Sequence, residues 1–315
     1  MENRSVRSVR LTGLVAAACA GTAVATLLGY LGGLWWVFDL FSHFRVQYAA
    51  LAAFVLAIGL AARFWLLCGG AALVLAVNGS SIAPLYGAPV PGITGGQPLT
   101  VLMLNANIYG GDPKKVGKLL VETTPDIVVL AEVDERWLTA LGTALARYPY
   151  RLLAPRSTPF GIALLSTRPL ADKALLHAGS VAFPSVIATV DWAGKPLTIV
   201  GAHPPPPFNV KMAHQRDAQL SGLAQMLGKQ ERLLLVGDLN ATPWSHGYRA
   251  LVEPTGLKNC AQGRGVLPTW PTHFWPLGIP IDHCLASPQI PIRRFWIGPD
   301  VGSDHAPIFI ELSST

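Results

Sequence analysis

Charge is scarce in this chain. Asp, Glu, Lys and Arg supply only 13% of its 315 residues against an apolar share of 51%, where an ordinary soluble domain carries about 25% charged residues. That balance is not the one of an ordinary soluble enzyme. A long basic stripe is also missing: beyond Gln97, 19 basic and 16 acidic side chains leave a net charge of about +3, which is compatible with nucleic acid but does not argue for it. Cysteine is sparse too. Of four, Cys19 and Cys68 fall within apolar runs and only Cys260 and Cys284 lie elsewhere, which excludes a disulfide-rich scaffold and a Cys-x-x-Cys zinc site. A bond between Cys260 and Cys284 is allowed outside the cytoplasm, but spacing alone does not reveal their separation.

What abounds instead is apolar sequence, concentrated at the N-terminus. Leu11 to Leu34 carries no charged side chain, and a helix of that length crosses the roughly 30 Å core of a bilayer. Arg4, Arg7 and Arg10 precede it as in a secretory signal, but the run exceeds the usual signal core of about 7 to 15 residues, and more apolar sequence follows. Tyr48–Ala62 and Phe64–Ile82 form two further runs separated by Arg63, an expected antiparallel pair of spans. Trp35, Trp36, Tyr48, Trp65 and Tyr86 stand near the expected span ends, where amphipathic rings favour the headgroup layer or pack between helices. Basic residues near span ends stay in the cytoplasm, so the first three arginines place the N-terminus inside. Three spans then put Arg63 inside and carry the following chain to the periplasmic or extracellular face, with only Arg45 on the wrong side. Two spans would leave that chain in the cytoplasm.

Between Asn78 and Pro98 the composition shifts to Gly, Ser and Pro, which reads as a tether. The expected organisation is a membrane anchor over 1–82, a linker over 83–98 and a catalytic domain over 99–315. Within that domain, apolar runs predict strands at Leu99–Leu104, Ile127–Ala131, Gly161–Ser166, Ser185–Asp191, Leu197–Ala202, Leu233–Val236, Asp282–Ala286 and Pro307–Leu312. Helices are expected at Pro113–Thr123, which Asp112 caps and Pro113 opens, and at Glu135–Ala146 and Val210–Gly228. Strands outnumber helices and several adjoin without one between them. This excludes a pure parallel array and favours an α+β fold of two mixed sheets packed face to face with helices outside. No internal repeat is present.

Chemistry collects where the apolar strands stop. Asn105 and Asn107 follow the first, as site groups or as turn formers. Glu132 ends the second, where a carboxylate is costly to bury without a cation or several donors. His203 precedes four prolines, Pro204 to Pro207, whose rigidity would fix its direction. Asp238 and Asn240, two apart after Leu233–Val236, are expected to project on one side of an extended strand. Asp282 beside His283 and Asp304 beside His305 pair acids with imidazoles. Neighbours on a strand point oppositely, so the useful couple is Asp282 with His305, in which the carboxylate fixes the tautomer. His283, His214, His246 and His273 are then structural.

Taken together, Asn105, Glu132, His203, Gly237-Asp238-Leu239-Asn240, Asp282 and Ser303-Asp304-His305 resemble the endonuclease/exonuclease/phosphatase superfamily over roughly residues 99 to 313. The resemblance implies a four-layer sandwich of two β-sheets between helices. It implies that Glu132 binds Mg²⁺ (or Mn²⁺ in its place) with Asp304 and Asn105 near it. Asp238 and Asn240 would orient the attacking water or the phosphate, His305 polarised by Asp282 would contact the scissile phosphate, and His203 would lie near the leaving oxygen. One departure is Asn107, which stands where abasic-site endonucleases carry a metal-holding aspartate, so weaker Mg²⁺ affinity is expected. The expected activity is that of a membrane-anchored phosphodiesterase, with nucleic acid as the default substrate and a lipid headgroup as its competitor. Trp270, Phe274, Trp275 and Trp296 are candidates for a hydrophobic rim or for core. The alternative from another class is a catalytically silent membrane scaffold.

Overall fold

Pro98–Asn105 reads Pro-Leu-Thr-Val-Leu-Met-Leu-Asn, and its alternate side chains enter two different interiors. In a computed structural model of the protein, which describes residues 2–88 and 96–313 with side chains from residue 12 onward, Leu99, Val101 and Met103 join one apolar cluster while Leu102 and Leu104 join another. Burial on both faces accounts for the continuous apolar run, because neither pleat surface meets water.

The chain divides into two compact units, Met1–Pro84 with Trp244–His246, and Leu85–Pro243 with Gly247–Thr315. The first is helical: α1 (Glu2–Tyr30), α2 (Trp36–Ser42), α3 (Arg45–Ala62) and α4 (Trp65–Ile82). Among the described residues, three segments are long and apolar enough to cross a membrane, Thr12–Tyr30, Arg45–Ala62 and Trp65–Tyr86. Leu14, Phe54, Leu66 and Leu73 point outward from them, whereas the inside holds polar groups. Arg45 is buried, donates to the carbonyl oxygen of Thr26 (3.2 Å) and to Oδ1 of Asn78 (3.3 Å), and lies 4.0 Å from the Tyr30 ring centroid. The one arginine that the orientation rule leaves on the outer side is thus held inside the bundle by polar partners. The expected tether begins later than its composition suggests: α4 runs through Ile82, and Ala83–Tyr86 form a 3₁₀ turn. Residues 89–95 of the linker lie outside the described residues.

The second unit contains, among the described residues, twelve strands: β1 (Pro98–Asn105), β2 (Ile127–Ala131), β3 (Tyr150–Ala154), β4 (Ile162–Ser166), β5 (Ala171–Leu176), β6 (Ser185–Trp192), β7 (Lys195–Ala202), β8 (Leu233–Asp238), β9 (Lys258–Asn259), β10 (Asp282–Ala286), β11 (Ile292–Ile297) and β12 (Ile308–Ser313). They form two six-stranded mixed sheets ordered β11-β12-β1-β2-β4-β3 and β5-β6-β7-β8-β10-β9. Each has one central parallel pair, β1 with β2 and β7 with β8. A parallel pair needs a crossover, supplied by α5 (Pro113–Thr123) and α7 (Val210–Leu227). The Asp112 carboxylate caps α5 by accepting from the N–H groups of Lys114 and Lys115.

Three apolar layers separate the elements. The middle one joins Val101, Val129, Ile199, Val236 and Ile310 from both sheets and encloses Cys260 and Cys284, which are bonded to each other. The outer two pack α5 and α6 (Glu135–Leu141) on the first sheet, and α7 and α8 (His246–Thr255) on the second. This is the expected four-layer sandwich. Four strands had no clear sequence signal: β3, β5 and β11 mix polar residues with apolar ones, and β9 has only two residues.

Candidate active site

The central parallel strands all end at one mouth of the sandwich. β1 ends on Asn105, β2 runs into Glu132, β7 into His203, and β8 ends on Asp238, opposite Asp282 at the start of β10. Parallel strands deliver their carboxyl ends to one side, which is why residues more than a hundred positions apart meet there. Gly237 permits the arrangement: a Cβ at that position would fall 1.9 Å from the carbonyl oxygen of Ala202, so β8 approaches β7 this closely only without a side chain.

Asp238 is the hub. Its Oδ2 accepts from Nδ2 of Asn105 (3.0 Å) and lies 3.4 Å from Nε2 of His203 and 3.7 Å from Nε2 of His305. Its Oδ1 accepts from the N–H of Asn240 at 2.9 Å. Asn105 also donates to Oε1 of Glu132 (3.0 Å), which sits 3.8 Å from Nε2 of His203. Nδ1 of His305 and Oδ2 of Asp282 are 2.8 Å apart, both residues buried. Asp304 stands one step out, its Oδ1 accepting from Nδ2 of Asn107 (2.7 Å) and its Oδ2 from Nε1 of Trp270 (3.0 Å).

Asn240 departs from expectation. β8 stops at Asp238 and Asn240 turns into the left-handed region (φ 48°), so it does not continue an extended strand, and its carboxamide donates to the carbonyl oxygen of Pro204 (3.0 Å). Asn107 (φ 53°) and Glu132 (φ 58°) share that conformation. Strain of this kind, of order 1–3 kcal/mol per residue, persists where the surrounding structure enforces it, and it concentrates at functional sites. His283 faces away from the cleft. It is buried, with Nε2 2.7 Å from the carbonyl oxygen of Ala241 and its ring 4.9 Å from that of Tyr248.

The electrostatics follow from burial and proximity. Burial opposes charge on His305, but the Asp282 and Asp238 carboxylates outweigh it and push its pKa up to about 10. Burial opposes charge on Asp238 as well, yet the His305 and His203 imidazoles hold its carboxyl down at about 2. His203 is raised, its burial overcome by Asp238 and Glu132. At neutral pH the mouth therefore presents the protonated His305 imidazole beside an anionic Asp238, able to attract a phosphate, orient a water and give a proton to a departing oxygen.

The endonuclease/exonuclease/phosphatase family profile matches residues 104–305. The chain belongs to that family, and it is a phosphoester hydrolase. A search of curated proteins by sequence returns no match. Among solved structures, zebrafish (D. rerio) TDP2 complexed with single strand DNA product is 17% identical over 69% of this chain and all of that one, with a TM-score of 0.57. An endonuclease/exonuclease/phosphatase protein from Beutenbergia cavernae is also 17% identical, over 69% and 72%, with a TM-score of 0.57. The C. elegans TDP2 is 18% identical over 69% and 98%, with a TM-score of 0.55. At such identities the likeness concerns the fold.

Several groups at the site hold roles that the sequence did not reveal. Ser303 Oγ donates to the carbonyl oxygen of Asn105 (2.7 Å) and accepts from the N–H of His305 (3.1 Å), joining β1 to the loop before β12. Thr269 Oγ1 accepts from the N–H groups of Ile281 and Asp282. Trp270, a rim candidate, instead turns its indole to Asp304, and Trp296 stacks on Phe309 at 5.1 Å. Arg216 is fully buried in α7, donating to the carbonyl oxygen of Asn240 (3.2 Å) and to Oδ1 of Asp217 (2.9 Å). Its signal was positional: Ala213, Arg216, Leu220, Leu223 and Leu227 share the buried face at helical spacing.

Arg216 thus holds the strained turn after Asp238. Arg216→Ala is expected to lower kcat on a soluble phosphodiester about tenfold or more, besides destabilising the fold by about 3 kcal/mol through loss of a buried hydrogen-bonded charge. Arg216→Lys should recover part of the kcat, and an alanine variant with full kcat would refute this positioning role.

His283 makes a separate prediction. Burial depresses its pKa to about 4, so the unfolded chain takes up the proton first as pH falls below about 6.5. Stability is then intact above that value and declines toward pH 4 by a total of about 3 kcal/mol. Thermal melting of the full chain between pH 7 and 4 should show this decline, and His283→Gln should flatten it.

Proposed function

We propose that the chain is a membrane-anchored, Mg²⁺-dependent phosphodiesterase whose catalytic domain lies on the periplasmic or extracellular side. The observation that carries the reading is the convergence of Asn105, Glu132, His203, Asp238, Asp282 and His305 at one mouth. The donor set fits a hard cation: Glu132 and Asp304 offer carboxylates and Asn105 a carboxamide, and Glu132 has its side chain 19% exposed, facing solvent more than the buried Asp238 and Asp282 do. Asp238, Asp282 and His305 also bring ligand atoms within 4.8 Å of one another. Because Asp282 and His305 are engaged with each other, that trio is better suited to holding a proton than an ion. When bound, Mg²⁺ supplies positive charge that draws electron density from the phosphorus.

Asp238 then orients the attacking water, and His305, held by Asp282, gives its proton to the phosphate or the departing oxygen. His203, its Nε2 3.4 Å from Asp238, lies beside them near the departing oxygen. The outward side is supported by three candidate spans and by the Cys260–Cys284 bond, a linkage favoured in oxidising compartments.

Detergent-solubilised full chain is expected to hydrolyse bis(p-nitrophenyl) phosphate with Mg²⁺, to lose the activity in EDTA and to regain it when Mg²⁺ is restored. Undiminished hydrolysis in EDTA would sink the metal assignment. A silent scaffold would hydrolyse nothing and show no heat on calorimetric titration with Mg²⁺.

A further inference from the structure

Three loops leave the strand ends that build the site, and each carries large apolar side chains into solvent. Tyr109 is 74% exposed, and its N–H donates to Oδ1 of Asn107, whose amide in turn holds Asp304. Phe208 is 77% exposed at the end of the proline run that begins after His203, and that run is fastened to Asn240 through the Pro204 carbonyl. Trp275 is 81% exposed, flanked by exposed Phe274 and Leu277. Their loop is tied to the site by Thr272, whose N–H donates to the carbonyl oxygen of Asp304 and whose hydroxyl donates to that of Ser303, both at 3.0 Å.

Scattered exposed apolar residues are ordinary, but large ones gathered on the loops that frame a cleft mark an interaction surface. Aromatic side chains beside a phosphate-cleaving site also suit stacked nucleobases. Two observations decide for lipid. The domain has a net charge of only about +3 and no basic stripe to follow a polyanionic backbone. The same polypeptide also carries three helices of membrane-crossing length, the third reaching Tyr86.

We infer that the cleft acts on the phosphodiester of a membrane lipid, with Tyr109, Phe208, Phe274, Trp275 and Leu277 entering the interfacial layer around the headgroup. The inference rests on the phosphodiesterase reading and names its substrate class. In the reaction, the oxygen of water bonds to phosphorus and one phosphorus–oxygen ester bond breaks. The proton given up by water is balanced by the one taken up by the departing oxygen, so no co-reactant is needed.

The test uses full chain in non-ionic detergent micelles containing phosphatidylglycerol and phosphatidylethanolamine, with Mg²⁺. Bis(p-nitrophenyl) phosphate and a single-stranded oligonucleotide are assayed in parallel at equal phosphodiester concentration. Lipid is expected to be cleaved at least tenfold faster than oligonucleotide. In the double variant Phe208→Ser, Trp275→Ser, whose altered side chains are exposed, the ratio of lipid rate to soluble-diester rate should fall at least tenfold. Faster cleavage of the oligonucleotide, intact lipid alongside a hydrolysed soluble diester, or an unchanged ratio in the variant overturns the lipid inference alone. Failure to hydrolyse any of the three overturns the phosphodiesterase reading and this inference with it.

Discussion

Replacing His305 by alanine is expected to lower kcat for phosphodiester hydrolysis by about 10³-fold, within the range usual for loss of a positioned acid or base. The imidazole combines a raised pKa with two engaged nitrogens: Nδ1 is held by Asp282 at 2.8 Å and Nε2 lies 3.7 Å from the hub carboxylate. Alanine removes the proton donor and leaves Asp282 as a buried carboxylate without its partner, so protein stability must be followed alongside rate. Asp282→Asn offers a milder probe. It keeps the volume but removes the charge that holds the ring protonated, and a fall of about 10²-fold is expected. Because the two residues act as a unit, the double variant should be little worse than His305→Ala alone. Activity in His305→Ala within threefold of wild type, with the fold intact by circular dichroism, would falsify the site assignment.

Glu132→Gln should weaken Mg²⁺ binding by about 10- to 100-fold, the usual range for loss of a group that orients or neutralises a bound ion. Gln keeps the side-chain shape and needs only the same backbone, already at φ 58°, so the loss would report charge. The reverse change is Asn107→Asp. Asn107 now donates to Asp304 at 2.7 Å, and an aspartate there would set two carboxylates against each other. Without the ion that repulsion destabilises the site, and with it the second carboxylate adds attraction. Mg²⁺ affinity is expected to rise about tenfold in this variant, equivalent to about 1.4 kcal/mol. Its Tm should drop in EDTA and recover in Mg²⁺ by more than that of the wild type. Calorimetric titration measures both variants, and equal affinities across wild type, Glu132→Gln and Asn107→Asp would place the ion elsewhere.

The strand-ending motifs were legible because a β-strand buried on both faces must be apolar along its length, so an acid or amide stands out where burial ends. Leu233–Val236 followed by Gly237 and Asp238 shows this, as do Ile127–Ala131 and Glu132. Edge strands β3, β5 and β11 were not legible, since a strand exposed on one side or along its rim has no such contrast. Arg216 and Thr269 were missed for another reason: each acts on atoms distant in sequence, the carbonyl of Asn240 and the N–H of Asp282, and nothing local announces such a partner.

From sequence alone followed the apolar N-terminal segments, the two-sheet architecture and the types of residue at the strand ends, because periodicity and hydrophobicity are local properties of a chain. Only the tertiary structure decided that Asp238 is the hub, that Asn240 turns to Pro204 while Asn107 turns to Asp304, and that Cys260 meets Cys284. Those outcomes depend on distances of a few ångströms between strands of separate origin, which the register of two packed sheets sets and no single segment encodes.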